Sequence, residues 1–240
     1  MSTTNLSISE CKPSVKKILF IGNSATYVND IPHMVERFAN SIGYNTKVKI
    51  ITERGFELAQ HADCDTSYGQ KTFIEIQRGY DIVFLQEHSN CITSDKKRKQ
   101  TKLACEVLNQ AVCNSGGKTY IYVRPPSGKL YEGYTPLEQS IEFDKLFGDI
   151  SSQLGIINAY VNRAFCYATV DTGIMLWGAD LSHTNKSGAY LAACVLFSTL
   201  FLKSATILDS LDIPVSEAQY LQTVSDKVVF DGWLPSNPIL

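Results

Sequence analysis

The sequence predicts an α/β domain: a single three-layer α/β/α unit around a five-stranded parallel sheet. Three observations point there. Five short apolar runs recur along the 240 residues. The stretches between them carry apolar residues at helical spacing and are too long for hairpins, so successive strands run parallel through crossovers. Hydrophobic residues make up 44% of the chain and charged residues 19%, enough apolar material to cover both faces of such a sheet. At ~150 residues per domain the length suits one large domain better than two.

The elements follow in order. Residues 1–15 are polar and rich in Ser and Thr, and are expected to be a flexible segment without a secretory signal. Ile18-Leu19-Phe20-Ile21, stopped by Gly22, reads as a buried first strand. Asp30-Ile31-Pro32 reads as an N-cap with proline in the first turn. Met34, Val35, Phe38 and Ala39 continue the helix to Gly43. Lys47 to Ile51 is the second strand, followed by a loop containing Gly55. A helix from about Tyr68 to Gln77 ends at Gly79, and Ile82 to Leu85 is the third strand. A long helix runs from Asp95 to Cys113, then Tyr120 to Val123 forms the fourth strand, broken by Pro125-Pro126. A helix from Pro136 to Leu154 stops at Gly155. Ile156-Ile157 and their neighbours make a short fifth strand. A loop-rich region then extends through His183, ahead of an apolar helix from Asn185 to Leu202 and a last helix from about Ser216 to Val229. The domain is expected to span 16–230, leaving a tail at 231–240 with Trp233, Pro235 and Pro238. An open doubly wound, flavodoxin-like sheet is the natural arrangement.

Composition narrows the function. The balance of 22 basic and 24 acidic residues, −2 in all, gives no general attraction to nucleic acid or an anionic membrane. No apolar run approaches the ~18–20 residues of a membrane span. The seven cysteines are odd in number, widely spaced and without C-x-x-C. They read as reduced thiols of a cytoplasmic protein, with neither a disulfide framework nor a metal site expected. The one charge run, Lys96-Lys97-Arg98-Lys99, reads as a solvated helix face. No G-x-G-x-x-G or P-loop follows the first strand, so no nucleotide cofactor is expected.

In a parallel sheet, ligands bind beyond the carboxyl ends of the strands. Those ends deliver Gly22-Asn23-Ser24, Arg54-Gly55, Gln86-Glu87-His88-Ser89-Asn90 and Arg124. Asp180-Leu181-Ser182-His183 lies just before the apolar helix. Acyl transfer needs a nucleophile, a base, a group that orients the base, and donors for an oxyanion. Ser24 fits the first role, His183 the second and Asp180 the third. His33, His61 and His88 compete as bases. The N–H groups of Ser24 and Gly55 and the Gln86 amide are candidate oxyanion donors, with Asn90 as the alternative to Gln86. Asn23 and Arg124 are candidate substrate contacts, and a surface ion pair is the other reading of Arg124.

These residues carry a family resemblance. The chain resembles the SGNH (GDSL-like) hydrolases from Lys17 to about Leu202. Ile18 to Ser24 looks like the first block, which carries the serine, and Gly55 falls where the second-block glycine is expected. Asp180-Leu181-Ser182-His183 resembles the last block, D-x-x-H, and Lys186 to Ala193 resembles the start of the final helix. The third block departs from the usual G-x-N-D. Leu85-Gln86-Glu87-His88-Ser89 looks more like the L-Q-E-Q-S of a bacterial subgroup, and somewhat like the Q-G-E-S-N of carbohydrate acetylesterases. Gly22-Asn23-Ser24-Ala25-Thr26 lacks the second glycine of a G-x-S-x-G elbow, which argues against the α/β-hydrolase fold. The resemblance implies a metal-independent esterase acting on short acyl esters, acetyl foremost, of small molecules or carbohydrates. An acyltransferase using the same triad, or a non-catalytic flavodoxin-like binding domain, are the alternatives. The sequence does not fix the oligomeric state.

Overall fold

The computed structural model describes residues 16–234. The segment 1–15, with Cys11, and Pro235 and Pro238 of the tail lie outside the described residues. Five strands, β1 (Lys16–Gly22), β2 (Thr46–Thr52), β3 (Ile82–Leu85), β4 (Lys118–Val123) and β5 (Ile157–Tyr160), form one sheet in the order β2-β1-β3-β4-β5. Every pairing is parallel. This is the three-layer flavodoxin-like arrangement expected from the alternation of apolar runs.

Alternate side chains of the strands serve two cores, as the two-residue period of a strand requires. Ile18, Phe20, Phe84 and Tyr122 pack with α2 (Ile31–Ser41), α7 (Val161–Thr172), α8 (Lys186–Phe201) and α9 (Val215–Val229). Phe20 and Phe84 stack there at 4.8 Å. Leu19, Ile21, Val83, Leu85, Ile121 and Val123 pack on the other face with α4 (Ser67–Ile76), α5 (Asp95–Asn114) and α6 (Pro136–Leu154). Helix α8 is buried nearly all round, which explains why its apolar residues show no one-sided pattern. Two short helices, α1 (Ser24–Tyr27) and α3 (Leu58–His61), sit after β1 and β2 at the carboxyl rim of the sheet.

The order of the strands decides where a site forms. From β1 the chain moves outward to β2, then returns past β1 to β3. The crevice between the carboxyl ends of β1 and β3 is therefore the topological switch point, where open α/β sheets bind ligands.

Some expectations need correction. The region expected to be loop-rich contains α7, with Val161, Ala164, Phe165 and Ala168 buried on one face and Gly173 in left-handed backbone at its end. Asp30 does not cap α2 with its side chain. It adopts φ 58°, and its carboxylate meets His33 instead. The basic run is only partly solvated: Lys96 and Lys99 are exposed, while Lys97 pairs with Glu57 at 2.6 Å and Arg98 with Glu142 at 2.7 Å. Among the described residues no helix is long and apolar enough to cross a membrane. Cys64, Cys91, Cys105, Cys113, Cys166 and Cys194 are free.

Helix α8 begins against the loop that precedes it. Asn185 caps it by accepting from the Gly188 N–H at 2.8 Å. A Cβ on Gly188 would fall 2.1 Å from the Leu176 carbonyl oxygen. A Gly188→Ala variant is therefore expected to lose about 1–3 kcal/mol as helix and loop are pushed apart. Urea denaturation followed by circular dichroism measures this; an unchanged midpoint would contradict the close packing.

Candidate active site

Strand β1 delivers Ser24 through a corner built from buried hydrogen bonds. The backbone turns away from the sheet at Asn23, which has extended φ and ψ of −135° and −158°. Gly22 is required by space: a Cβ there would lie 2.7 Å from both Gln86 Oε1 and Thr26 Oγ1. The Gly22 carbonyl accepts from the Glu53 N–H at 3.3 Å and from His61 Nε2 at 2.9 Å. The Asn23 N–H donates to Gln86 Oε1 at 3.0 Å, and the Thr26 hydroxyl donates to the same oxygen at 2.8 Å. Asn23 Oδ1 accepts from the Ala25 N–H, capping α1, while its Nδ2 donates to the Phe56 carbonyl at 2.8 Å. Ser24, first residue of α1, is left half-buried at the rim.

The opposite wall is the turn before α8. Asp180 Oδ1 accepts from the N–H groups of Ser182 at 2.9 Å and His183 at 3.0 Å. Asp180 Oδ2 meets His183 Nδ1 at 2.5 Å, and His183 Nε2 lies 2.8 Å from Ser24 Oγ, across 159 positions of sequence. The carboxylate fixes the proton on Nδ1, so Nε2 is the acceptor for the Ser24 hydroxyl. The His183 N–H, then its ring, then the Ser182 N–H hold the Asp180 carboxyl well below the usual range.

Of the four histidines in the chain, His183 is the one hydrogen-bonded to Ser24. His61 is buried beneath the corner, donates to the Gly22 carbonyl, and is pushed down to about 4 by burial, so it is neutral. His33 is a surface partner of Asp30. His88 is half-buried; burial first, then the Arg124 charge, lowers its pKa.

The remaining predicted residues divide. The Gly55 backbone has φ +72° on an exposed turn tied to the Ser24 corner through Asn23 and Phe56. Gln86 is corrected: it is buried under the corner, its oxygen is taken by Asn23 and Thr26, and its nitrogen donates to the Glu87 carbonyl. Asn90 Nδ2 donates one of its two hydrogens to Glu57 Oε1 at 2.7 Å. Asn23 is buried with both side-chain atoms engaged, so it shapes the corner and does not face a substrate. Arg124 is no surface ion pair: it is 6% exposed, and its Nη2 donates to the Ser182 carbonyl at 3.2 Å.

Sequence reasoning missed Glu87. This buried carboxyl accepts from the N–H groups of Leu58 at 3.0 Å and His88 at 2.6 Å, and from the Thr101 hydroxyl at 3.2 Å. It joins α3, the loop after β3 and α5. Its one signal in the sequence is a charged residue directly after an apolar strand and a glutamine.

No profile of a known protein family matches the chain, and no curated protein sequence matches it. Solved structures do. A protein from Slackia heliotrinireducens assigned to the SGNH hydrolases is 24% identical, with a TM-score of 0.68 over 78% of this chain and 100% of that one. A DUF4886 family protein from Bacteroides uniformis is 13% identical, with a TM-score of 0.73 over 92% of this chain and 97% of that one. An acetylxylan esterase from Geobacillus stearothermophilus, solved as a catalytic mutant, is 14% identical, with a TM-score of 0.58 over 77% of this chain and 93% of that one. The fold is that of the SGNH hydrolases.

Burial raises Glu87 to about 7, against an ordinary value near 4.5. Between those values the folded protein keeps a proton that the unfolded chain releases. Stability from this group is thus full below about pH 4.5 and is lost as pH rises through 7. Glu87→Gln keeps the acceptor for both N–H groups and removes the titration. Wild type is expected to lose roughly 2–3 kcal/mol more than this variant between pH 5 and pH 8, by urea denaturation. Parallel pH dependences would refute this.

Proposed function

We propose that the protein is a serine hydrolase of carboxylic esters, with Ser24 as nucleophile, His183 as general base and acid, and Asp180 as the group that orients the imidazole. The observation that carries the reading is His183 bridging Ser24 Oγ at 2.8 Å and Asp180 Oδ2 at 2.5 Å. The SGNH hydrolase fold supports it.

In the first half-reaction, Ser24 Oγ attacks the ester carbonyl carbon while its proton passes to His183 Nε2. The carbonyl electron pair moves onto oxygen. The N–H groups of Ser24 and Gly55 are assigned to this oxyanion. The C–O bond to the alcohol then breaks as His183 returns the proton to the leaving oxygen, giving acyl-Ser24. In the second half, His183 takes a proton from water, the hydroxide adds to the acyl carbon, and Ser24 leaves with that proton. Asp180 stays anionic throughout and stabilises the transient imidazolium.

A short acyl group, acetyl for instance, on a small alcohol or a carbohydrate is the substrate class proposed. The likeness to an acetylxylan esterase supports it. So does the half-buried, rim-level position of Ser24, with the exposed Gly55 turn beside it.

Ser24→Ala is expected to lower turnover of p-nitrophenyl acetate by ~10³ or more, and Asp180→Asn by about 10³–10⁴. A fluorophosphonate probe should label wild type and leave the Ser24 variant unlabelled. Undiminished turnover by Ser24→Ala would reject the assignment. Across p-nitrophenyl esters, strongest activity at eight or more carbons would count against the short-acyl class.

A further inference from the structure

Arg124 follows β4 at the same rim, and its surroundings do not match an ordinary structural arginine. It is 6% exposed. Nε donates to the Pro125 carbonyl at 3.1 Å and Nη2 to the Ser182 carbonyl at 3.2 Å. Among the described residues, Nη1 has no hydrogen-bond partner, and no carboxylate lies in salt-bridge range of the guanidinium. The acidic groups that face it are the phenols of Tyr122 and Tyr131 and the thiol of Cys91, none of them a carboxylate. The other charges nearby are basic or already committed. His88 stands close enough for the arginine to depress its pKa. Lys129 Nζ donates to the Asp180 carbonyl at 3.1 Å. Asp180 spends its carboxylate on Ser182 and His183.

A permanent cation held out of water without a counter-charge is costly, by several kcal/mol before compensation. A carbonyl or two would be served equally by a neutral donor. A guanidinium keeps its charge when buried and offers a planar fork that fits an oxyanion of ligand in two-point contact. Its place fits that use. Ser182 is the residue before His183, and the Tyr122 hydroxyl, on the same strand end, reaches the Ala25 carbonyl beside Ser24 at 3.5 Å.

We propose that Arg124 is an anion-recognition residue of the Ser24 site and that the natural substrate is a short-chain ester bearing a carboxylate or phosphate group. The missing counter-charge is then the substrate's own. This rests on the ester-hydrolase reading, which the test is arranged to separate.

The comparison uses matched acetyl esters: 3- and 4-acetoxybenzoate and 4-acetoxyphenyl phosphate against methyl 4-acetoxybenzoate. The readout is the ratio of kcat/KM, anionic over neutral, which cancels any general loss of activity. Replacing the arginine by methionine (R124M) is expected to lower that ratio by about tenfold to a hundredfold, the scale of a charged hydrogen bond. R124K should retain part of the preference. The benzoate and phosphate arms tell which oxyanion is taken. A ratio equal in wild type and both variants would overturn the proposal while leaving the hydrolase reading intact. Absence of turnover for all four esters, together with no fluorophosphonate labelling of Ser24, would sink both. Should R124M fail to fold, protection of wild-type Ser24 from the probe decides. 4-Hydroxybenzoate is expected to protect more strongly than its methyl ester, and equal protection would refute anion recognition.

Discussion

Where a strand stops pairing, its backbone polar groups must find other partners or lose stability, and the end of β1 is built around that requirement. The Asn23 N–H leaves the ladder inside the protein, while the Gly22 carbonyl keeps the Glu53 N–H and has room for a second donor. Side chains complete the corner: His61 donates to that carbonyl, Gln86 accepts from the Asn23 N–H, and the Asn23 side chain accepts from the Ala25 N–H of the helix that follows. Each such bond contributes only about 0.5–1.5 kcal/mol net, but an unpaired buried group would cost about 1–3. The corner therefore has one satisfied arrangement. That arrangement sets the Ser24 hydroxyl at the rim facing His183. The glutamine that looked like a donor to substrate is thus a donor and acceptor within the protein, one layer below Ser24.

The fold was legible because its signal is local. The edges of β3 and α6 coincide with apolar runs and a terminal glycine that periodicity alone reveals. Helix α7 was not legible as helix, although Val161, Ala164, Phe165 and Ala168 have the spacing. It starts directly from β5 without a side-chain cap, so no start signal separates strand from helix. That Ser24, His183 and Asp180 lie at one rim was legible through their position after strands and before a helix. The roles of Gln86, Asn90 and Asn23 were not, because an amide's direction depends on which of its neighbours is buried. That is decided by packing between segments some 30 to 60 residues apart.

Charge shows the same division. Four consecutive basic residues at the start of α5 drew attention, yet two face solvent and two are neutralised by Glu57 and Glu142. The single Arg124, which the sequence placed at a strand end without showing its burial, is the buried one. Among acids, Asp180 is half exposed and stays ionised because three donors surround it, whereas Glu87 is engulfed and favours its proton. Desolvation and hydrogen bonding push in opposite directions, and only the fold determines which wins.

The turn carrying His183 bears on how the proposed triad keeps its geometry. Leu181 adopts φ 55°, a left-handed conformation that costs a residue with a Cβ roughly 1–2 kcal/mol. Several contacts over-determine it. The Leu181 N–H donates to the Gly178 carbonyl at 3.0 Å, its carbonyl accepts from Gly128 at 2.8 Å, and its side chain packs against the core beside α8. The Gly178 N–H holds the His183 carbonyl at 2.9 Å, and Asn29 Nδ2 holds that of Thr184 at 2.6 Å. The strained residue lets Asp180 accept two N–H groups of its own turn, so the carboxylate is oriented before any imidazolium exists. In the proposed hydrolase, a carboxylate aimed in advance need not reorganise when positive charge develops on His183, and that absence of reorganisation is the physical content of preorganised electrostatic catalysis.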